Sequence, residues 1–528
     1  MKRLCCSLLL ILSCLLPVQG QNRDRMLRQA DKIARALFFI ERNYVDTLDM
    51  DKAVDAMMEG LFSKLDPHSV YIPREKMEEL NEPLDGSFEG VGIEYAMVFD
   101  TLTVQSVIAG GPAESVGLRP GDKIIAIDGV GIAGVGIGTD GIRGRLRGPR
   151  GTLVNVTVMR GGEIREFRIR RDTIPIESID AAYTPEPGIV YVKLGRFAQN
   201  SVEEFVEALR ENSKKRPDGI IVDLRGNGGG FIHVATGIAN IFMEKGQAIV
   251  RTEGPGIDDE IDAFGGGFYR DGALVILVDE NSASASEIMA GALQDWDRAV
   301  IVGRRTFGKG LVQRQFELQD GSGIRLTVAR YHTPSGRVVQ SPYKPGERDE
   351  YYRQAQVRYD RGESFSRDSI DLPDSLMFRT LRRGRTVYGG GGIMPDIFVP
   401  YDTVGHNGYM REVIGGGSLT EYAYDYIDKH RQELQATDFN KFLKKYAGME
   451  PAVFDGLVKY CSEKGIEPEE GELEACSGIL KTRLKAMMAR VPFGTTGYWR
   501  VINLEEDPEF KVALDVIRNW DDKDPFSF

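Results

Sequence analysis

The stretch AVIVGRRTFGKGLVQRQFELQDGSGIRLTVARY, residues 299–331, decides the fold because two incompatible readings compete for it. Its centre, GRRTFGKG at 303–310, is one letter short of a nucleotide phosphate loop, in which Gly-Lys is followed by Ser or Thr. Such a loop works only in the order strand, loop, helix, since the helix N-terminus and the loop N–H groups hold the anion together. Here the apolar strand AVIVG is present, but the residues after Lys309 alternate around a QDGSG turn, the pattern of a β-hairpin. No helix dipole follows, and Gly310 has no hydroxyl for a metal ion. The phosphate reading is excluded, and Lys309 needs another role.

Two upstream segments suggest one. GIIVDL (219–224) runs through RGNGGG into an apolar helical pattern, and ALVILVDE (273–280) runs through NSASAS into EIMAGALQDW. Continuous apolar strands alternating with helices indicate an α/β layer on buried parallel strands, with ligand-binding loops at the strands' carboxyl ends. Glycines 228–230 leave backbone N–H groups accessible, and the helix after the serines presents its positive end beside them. This is the equipment of an oxyanion hole next to a hydroxyl nucleophile.

Such a nucleophile requires a base. Of the five histidines (His68, His233, His332, His406 and His430), His233 lies one turn into an apolar helix and His332 ends a strand; no GxSxG elbow surrounds the serines. A lysine serves as base when an apolar site lowers its pKa, and Lys309 follows Phe307 and a buried strand. Gln313, four residues on, shares the lysine's face if the strand begins by Lys309, and its amide would then orient the amine. Spacing alone does not choose among Ser282, Ser284 and Ser286, and Ser284-Ala285-Ser286-Glu287 also fits an ordinary capping box.

The bulk properties set the frame. A chain of 528 residues, 42% apolar and 28% charged, has room for three or four globular domains. A net charge of −12 with no basic run argues against non-specific nucleic-acid binding. Residues 1–20 carry Lys2 and Arg3, an apolar stretch from Leu4 to Leu16, and small residues Val18 and Gly20. They read as a signal peptide cleaved after Gly20, too short for a membrane span. Lipid attachment at Cys14 is the alternative, opposed by the poor lead-in Ile11-Leu12-Ser13. Leader removal leaves Cys461 and Cys476, either one disulfide or two free thiols.

The expected organisation is a multidomain α/β protein: a helical segment at 21–84, a β-rich module at 85–175, the strand–helix core at 176–401 and a helical domain at 402–528. In the first of these, Asp66-Pro67 should break a helix ending near Leu65; in the core, Ser201-Val202-Glu203-Glu204 reads as a capping box and 343–390 as a polar insertion.

SASASEIMAGALQDWDRAVIVGRRTFGKGLVQ (282–313) strongly resembles the active-site block of the carboxyl-terminal processing peptidases, or tail-specific proteases. VDLRGNGGG, YHTPSGRVVQ, GGIMPDI and LDPHSVYI extend the resemblance over roughly residues 35–400. It implies a Ser-Lys dyad with no metal or cofactor: Ser284 as nucleophile, Lys309 as general base, Gln313 orienting the lysine, and Ala285 with Gly229 or Gly230 holding the oxyanion. The β-rich module resembles the family's PDZ domain, with Gly90, Val91, Gly92 and Ile93 receiving a peptide C-terminus and Arg147 coupling the module to the active site. Asp279 stands where the family commonly has Asn, while 343–390 and 402–528 have no match in the minimal family pattern. The implied activity is exported endoproteolysis in the periplasm or cell envelope on proteins with exposed C-termini, in a homo-oligomer. A catalytically silent PDZ scaffold is the alternative.

Overall fold

The computed structural model describes residues 2–98 and 100–527, with side chains placed from residue 23 onward. The side chains of the expected leader, Cys14 among them, lie outside that range. Helices α1 (Lys2–Asn43) and α2 (Met50–Phe62), strand β1 (Val70–Ile72) and helix α3 (Arg74–Asp85) open the chain. Helix α2 stops at Phe62, ahead of the expected Leu65. The Asp66-Pro67 turn beyond it is held by the Asp66 carboxylate, which accepts from the N–H groups of His68 and Ser69 and from Thr327 Oγ1.

The β-rich module comprises β2 (Ser87–Gly90), β3 (Ile93–Val98), β4 (Thr101–Val107), α4 (Pro112–Ser115), β5 (Lys123–Ile127), β6 (Val130–Gly131), α5 (Thr139–Leu146), β7 (Leu153–Arg160), β8 (Glu163–Arg170) and β9 (Asp172–Pro175). β2 pairs with β9, which brings the module's entry and exit together. Strand β7 shows the two-residue period of a half-buried strand, with Val154, Val156 and Val158 inside. The sheet order β3-β4-β5-β7-β8 leaves β3 on an edge.

The core runs through β10 (Ile179–Glu186), β11 (Ile189–Leu194), α6 (Ser201–Asn212), β12 (Gly219–Asp223), α7 (Ile232–Phe242), β13 (Ala248–Gly254), β14 (Ile257–Asp262), β15 (Ala273–Val278), α8 (Ala285–Asp295), β16 (Val300–Gly303), β17 (Leu311–Glu317) and β18 (Gly323–His332). The polar segment then supplies α9 (Arg348–Asp360), β19 (Met377–Arg379) and β20 (Thr386–Tyr388) before β21 (Ile397–Phe398) rejoins the main sheet. That sheet has the order β10-β11-β12-β15-β16-β21 and is parallel from β11 to β21. Its central strands are buried throughout because both faces are covered. Val192, Val222 and Ile276 pack under α6, α7 and α8; Tyr191, Ile221 and Val275 face the last helix of the chain.

The stretch after Lys309 is the expected hairpin, β17 against β18. The strand begins at Leu311, not at Lys309. The expected capping box at Ser201 is not formed: Asn200 is the N-cap of α6, the Ser201 hydroxyl accepts from the Ala198 N–H, and Glu204 accepts from the Ser178 N–H. These side chains therefore fasten α6 to its neighbours.

The C-terminal helices α10 (Gly408–Gly415), α11 (Ser418–Leu434), α12 (Phe439–Glu463) and α13 (Glu472–Glu505) build a separate apolar cluster around residues such as Phe442 and Leu484, in which Cys461 and Cys476 are buried free thiols, and α14 (Pro508–Arg518) follows them. α11 grips the β-rich module through Glu421 to Lys123 at 3.1 Å and Arg431 to the Pro120 carbonyl at 2.8 Å. Among the described residues no helix is long and apolar enough to cross a membrane. α14 closes the open face of the main sheet, with the Phe510 ring edge-on to Tyr191 at 5.4 Å between centroids. Phe510→Ala should cost about 3–5 kcal/mol of core stability through the cavity it leaves, read as a lower denaturant midpoint at unchanged slope.

Candidate catalytic site

The loops after β12 and β15 lie side by side, and the three serines after β15 have different fates. Ser282 is buried, its hydroxyl 2.8 Å from the Leu224 carbonyl; Ser286 is buried and donates to the Asn227 carbonyl at 2.9 Å. Both fasten the serine loop to the glycine loop. Ser284 is only half-buried and caps α8, its side chain facing the Glu287 N–H in a capping box, and among the described residues its hydroxyl donates to no acceptor. Its backbone sits at φ 56°, ψ −112°, a conformation that costs a non-glycine residue about 1–3 kcal/mol and is found where a side chain is held out for function. Position, exposure and strain therefore separate Ser284 from its neighbours, which spacing did not.

Glu287, one turn into α8, connects this serine to the lysine loop. Its Oε2 accepts from the Ser284 N–H at 2.9 Å and the Lys309 N–H at 2.8 Å; its Oε1 accepts from Thr306 Oγ1 at 2.5 Å and the Gly308 N–H at 2.7 Å. Burial pushes the carboxyl pKa up and the hydrogen bonds oppose that rise. Because four donors fill the acceptor positions of a carboxylate, the ionised form is the one that fits. On the other side the buried Tyr331 hydroxyl lies 2.7 Å from the Lys309 carbonyl and 3.1 Å from that of Ser284. Sequence reading offered Glu287 only as a helix cap and gave no signal for Tyr331 or Thr306.

Lys309 is largely enclosed, and its Nζ donates to Gln313 Oε1 at 3.0 Å. Gln313 Nε2 in turn donates to the His68 carbonyl at 2.6 Å, tying the amide to the turn before β1. The expected pair thus meets although the strand starts later. No hydrogen bond joins Lys309 Nζ to Ser284 Oγ among the described residues. Burial, reinforced by the Arg325 guanidinium, holds the amine below the ordinary lysine pKa. The same burial, with the lysine's charge, lowers His68 to about 4, so this histidine is neutral near pH 7.

The glycine loop approaches without a gap. A Cβ on Gly229 would stand 2.8 Å from both the Ala283 carbonyl and Ser284 Cβ, at φ +104°, so only glycine fits. The Gly229 N–H is already given to Asn227 Oδ1 at 2.9 Å. The N–H groups of the buried Ala285 and the half-buried Gly230 meet no acceptor among the described residues, and a buried donor left open is uncommon. Asp279 accepts from the Gly226 N–H at 2.9 Å and the Asn281 N–H at 3.1 Å, bracing the two loops where an asparagine was the family expectation.

In the β-rich module a cleft of about 350 Å³ opens between the edge strand β3 and helix α5, lined by Val91, Gly92 and Ile93 with Leu146, Arg143 and Arg147. Gly90 precedes it at the end of β2, and Gly92 has φ +79°. Arg147, at the end of α5, pairs with Glu82 of α3 and stacks over the Phe88 ring at 4.8 Å.

Residues 188–345 match peptidase family S41, residues 90–170 a PDZ domain, and residues 409–494 a family of unknown function. The carboxy-terminal processing protease CtpB of Bacillus subtilis (strain 168) is 34% identical over 330 residues, covering 61% of this chain and 68% of CtpB. A probable CtpA-like serine protease of Staphylococcus aureus (strain N315) is 34% identical over 325 residues, 61% of this chain and 64% of that protein. Among solved structures, the photosystem II D1 C-terminal processing protease aligns at 30% identity and a TM-score of 0.34, over 57% of this chain and 83% of that one. The family matches and the CtpB relative define a PDZ-bearing serine protease. The chain belongs to peptidase family S41, among the carboxy-terminal processing proteases.

The lowered lysine pKa has a definite pH sign. A lysine acting as general base must be neutral, so in that role kcat/KM on an unfolded protein should fall as pH drops through the Lys309 pKa, and Lys309→Arg, which stays charged, should remove activity throughout. Between that pKa and 10.5 the unfolded chain binds the extra proton, so stability due to this group rises with pH across the window.

Proposed function

We propose that this chain is an exported serine endopeptidase that takes exposed protein C-termini into its PDZ groove and cuts peptide bonds with Ser284 and Lys309. The observation that carries the reading is the fate of the three serines. Ser282 and Ser286 donate their hydroxyl protons to the Leu224 and Asn227 carbonyls, while Ser284 stands half-buried at the start of α8 with its hydroxyl proton given to no acceptor among the described residues. Export rests on the basic and apolar leader at 1–20, and the domain limits read from the sequence serve as the working division of the chain.

In the first half-reaction Ser284 Oγ attacks the scissile carbonyl and its proton passes to neutral Lys309 Nζ. The oxyanion is held by the N–H groups of Ala285 and Gly230, with the positive end of α8 behind them. Gly229 is the weaker candidate because its N–H already serves Asn227. The lysine then protonates the leaving amine; in the second half-reaction it takes a proton from water as the water oxygen attacks the acyl-serine ester, and returns that proton to Ser284 Oγ as the C–Oγ bond breaks and the new carboxylate leaves. For this Nζ must leave or share its bond to Gln313 and reach Ser284 Oγ, a tightening typical of the step from free enzyme to substrate complex.

In the PDZ groove the N–H groups around Gly90, Val91, Gly92 and Ile93 take the terminal carboxylate, and the free edge of β3 adds the tail as a further strand. Arg147 serves as the coupling residue: it faces the groove and is paired with α3, the helix that follows β1 and the His68 turn supporting Gln313. The test is cleavage of an unfolded protein by purified wild type and variants. Ser284→Ala and Lys309→Ala should each lower kcat by on the order of 10⁴–10⁶-fold while tail-peptide binding persists. Undiminished cleavage by Ser284→Ala would sink the assignment.

A further inference from the structure

A second ionic assembly lies beneath the site, on the face of the sheet that α14 covers. Each of the three loops sends one charged residue into it. Arg225 opens the glycine loop four residues before Gly229, Glu280 stands four before Ser284, and Arg304 five before Lys309. Arg225 holds Asp223 at 2.7 Å and grips Asp507 with two nitrogens, at 2.6 and 2.9 Å. Arg304 holds Glu280 at 2.8 Å and pairs with Glu509, whose other oxygen stands 3.5 Å from Arg225. Lys193 Nζ donates to the Arg225 carbonyl at 2.9 Å, and the Tyr191 hydroxyl donates to Asp223 at 2.7 Å.

Asp507 and Glu509 are the N-cap and second residue of α14, so two neighbouring carboxylates bind the glycine loop and the lysine loop, and through Arg304 the serine loop. Both are buried, as are Asp223 and Arg304. Close charge pairs in such surroundings permit little sliding, because removing either partner strands the other without water. The hydrogen bonds of Glu287 join the serine and lysine loops to each other, whereas this assembly ties all three loops to α14.

We infer that Asp507 and Glu509 are positioning residues: the C-terminal helical domain sets the relative height of the three catalytic loops while contributing no atom to the reaction. The inference rests on the peptidase reading for its consequence in turnover, and on geometry alone for the tether. Asp507→Asn keeps an N-cap for α14 and Glu509→Gln keeps the shape, so the double variant removes charge with little change in packing. Its kcat per folded molecule should fall about 10²-fold, the scale of a displacement near 1 Å, with KM and tail-peptide affinity unchanged. Amide hydrogen exchange in 225–231 and 303–310 should quicken. Phe510→Ala is the control for a merely structural role: it lowers stability and should leave kcat per folded molecule near wild type.

Unchanged loop exchange in the double variant would overturn the tether whatever the activity. Unchanged kcat, or an equal loss of kcat in Phe510→Ala, would overturn the positioning role. Wild type failing to cleave at all would instead overturn the peptidase reading, with the exchange data still deciding the tether.

Discussion

The carboxylate of Glu287 is the interaction on which the arrangement of the site depends. It is fully buried, and its two oxygens take the N–H of Ser284, the N–H of Lys309, the N–H of Gly308 and the hydroxyl of Thr306. One charge thus specifies the distance between two loops that are twenty-five residues apart in sequence. A buried carboxylate with all its acceptor positions filled has few alternative geometries, since each lost bond leaves a desolvated group unpaired. The strained backbone at Ser284 is tolerable because the surroundings over-determine it: Glu287 holds its N–H, and the Tyr331 hydroxyl lies by its carbonyl.

Around this point the molecule is built in tiers. The parallel sheet delivers three loops to one edge, and its burial on both faces fixes their starting points. Ser282 and Ser286 stitch the serine loop to the glycine loop. The polar segment at 343–390 closes the far side of the lysine loop: Arg358 of α9 donates to the carbonyls of Arg305 and Thr306, and the Tyr351 ring packs edge-on to Phe307. Beneath, α14 carries the carboxylates that face Arg225 and Arg304. Segments with no match in the minimal family pattern therefore surround the glycine, serine and lysine loops.

The sequence was most legible where a pattern is local. The period change after Lys309 identified the hairpin, the continuous apolar runs identified parallel strands, and strand–loop–helix order placed the glycines and serines at one sheet edge. Resemblance supplied Ser284 where spacing could not, and the physical reason for that choice appears only in the fold, as the different partners of three similar serines. Contacts between side chains distant in sequence were illegible. Nothing local marks Tyr331 as the clamp on both carbonyls, Asp507 as a partner of Arg225, or the Gly229 N–H as already engaged by Asn227. The Ser201 motif erred in the opposite sense: it had the letters of a cap, but Ser178 and Ala198 competed for the same groups.

The central claim is that Ser284 carries the nucleophilic hydroxyl and that Lys309 activates it. The most direct measurement is covalent labelling with a fluorophosphonate probe, followed by peptide mass spectrometry over pH, in wild type and in Lys309→Met. The account predicts a single adduct on Ser284 whose rate rises with pH through the depressed lysine pKa and collapses in the variant. An adduct on Ser282 or Ser286, or labelling of Ser284 that proceeds equally without the lysine, would contradict it.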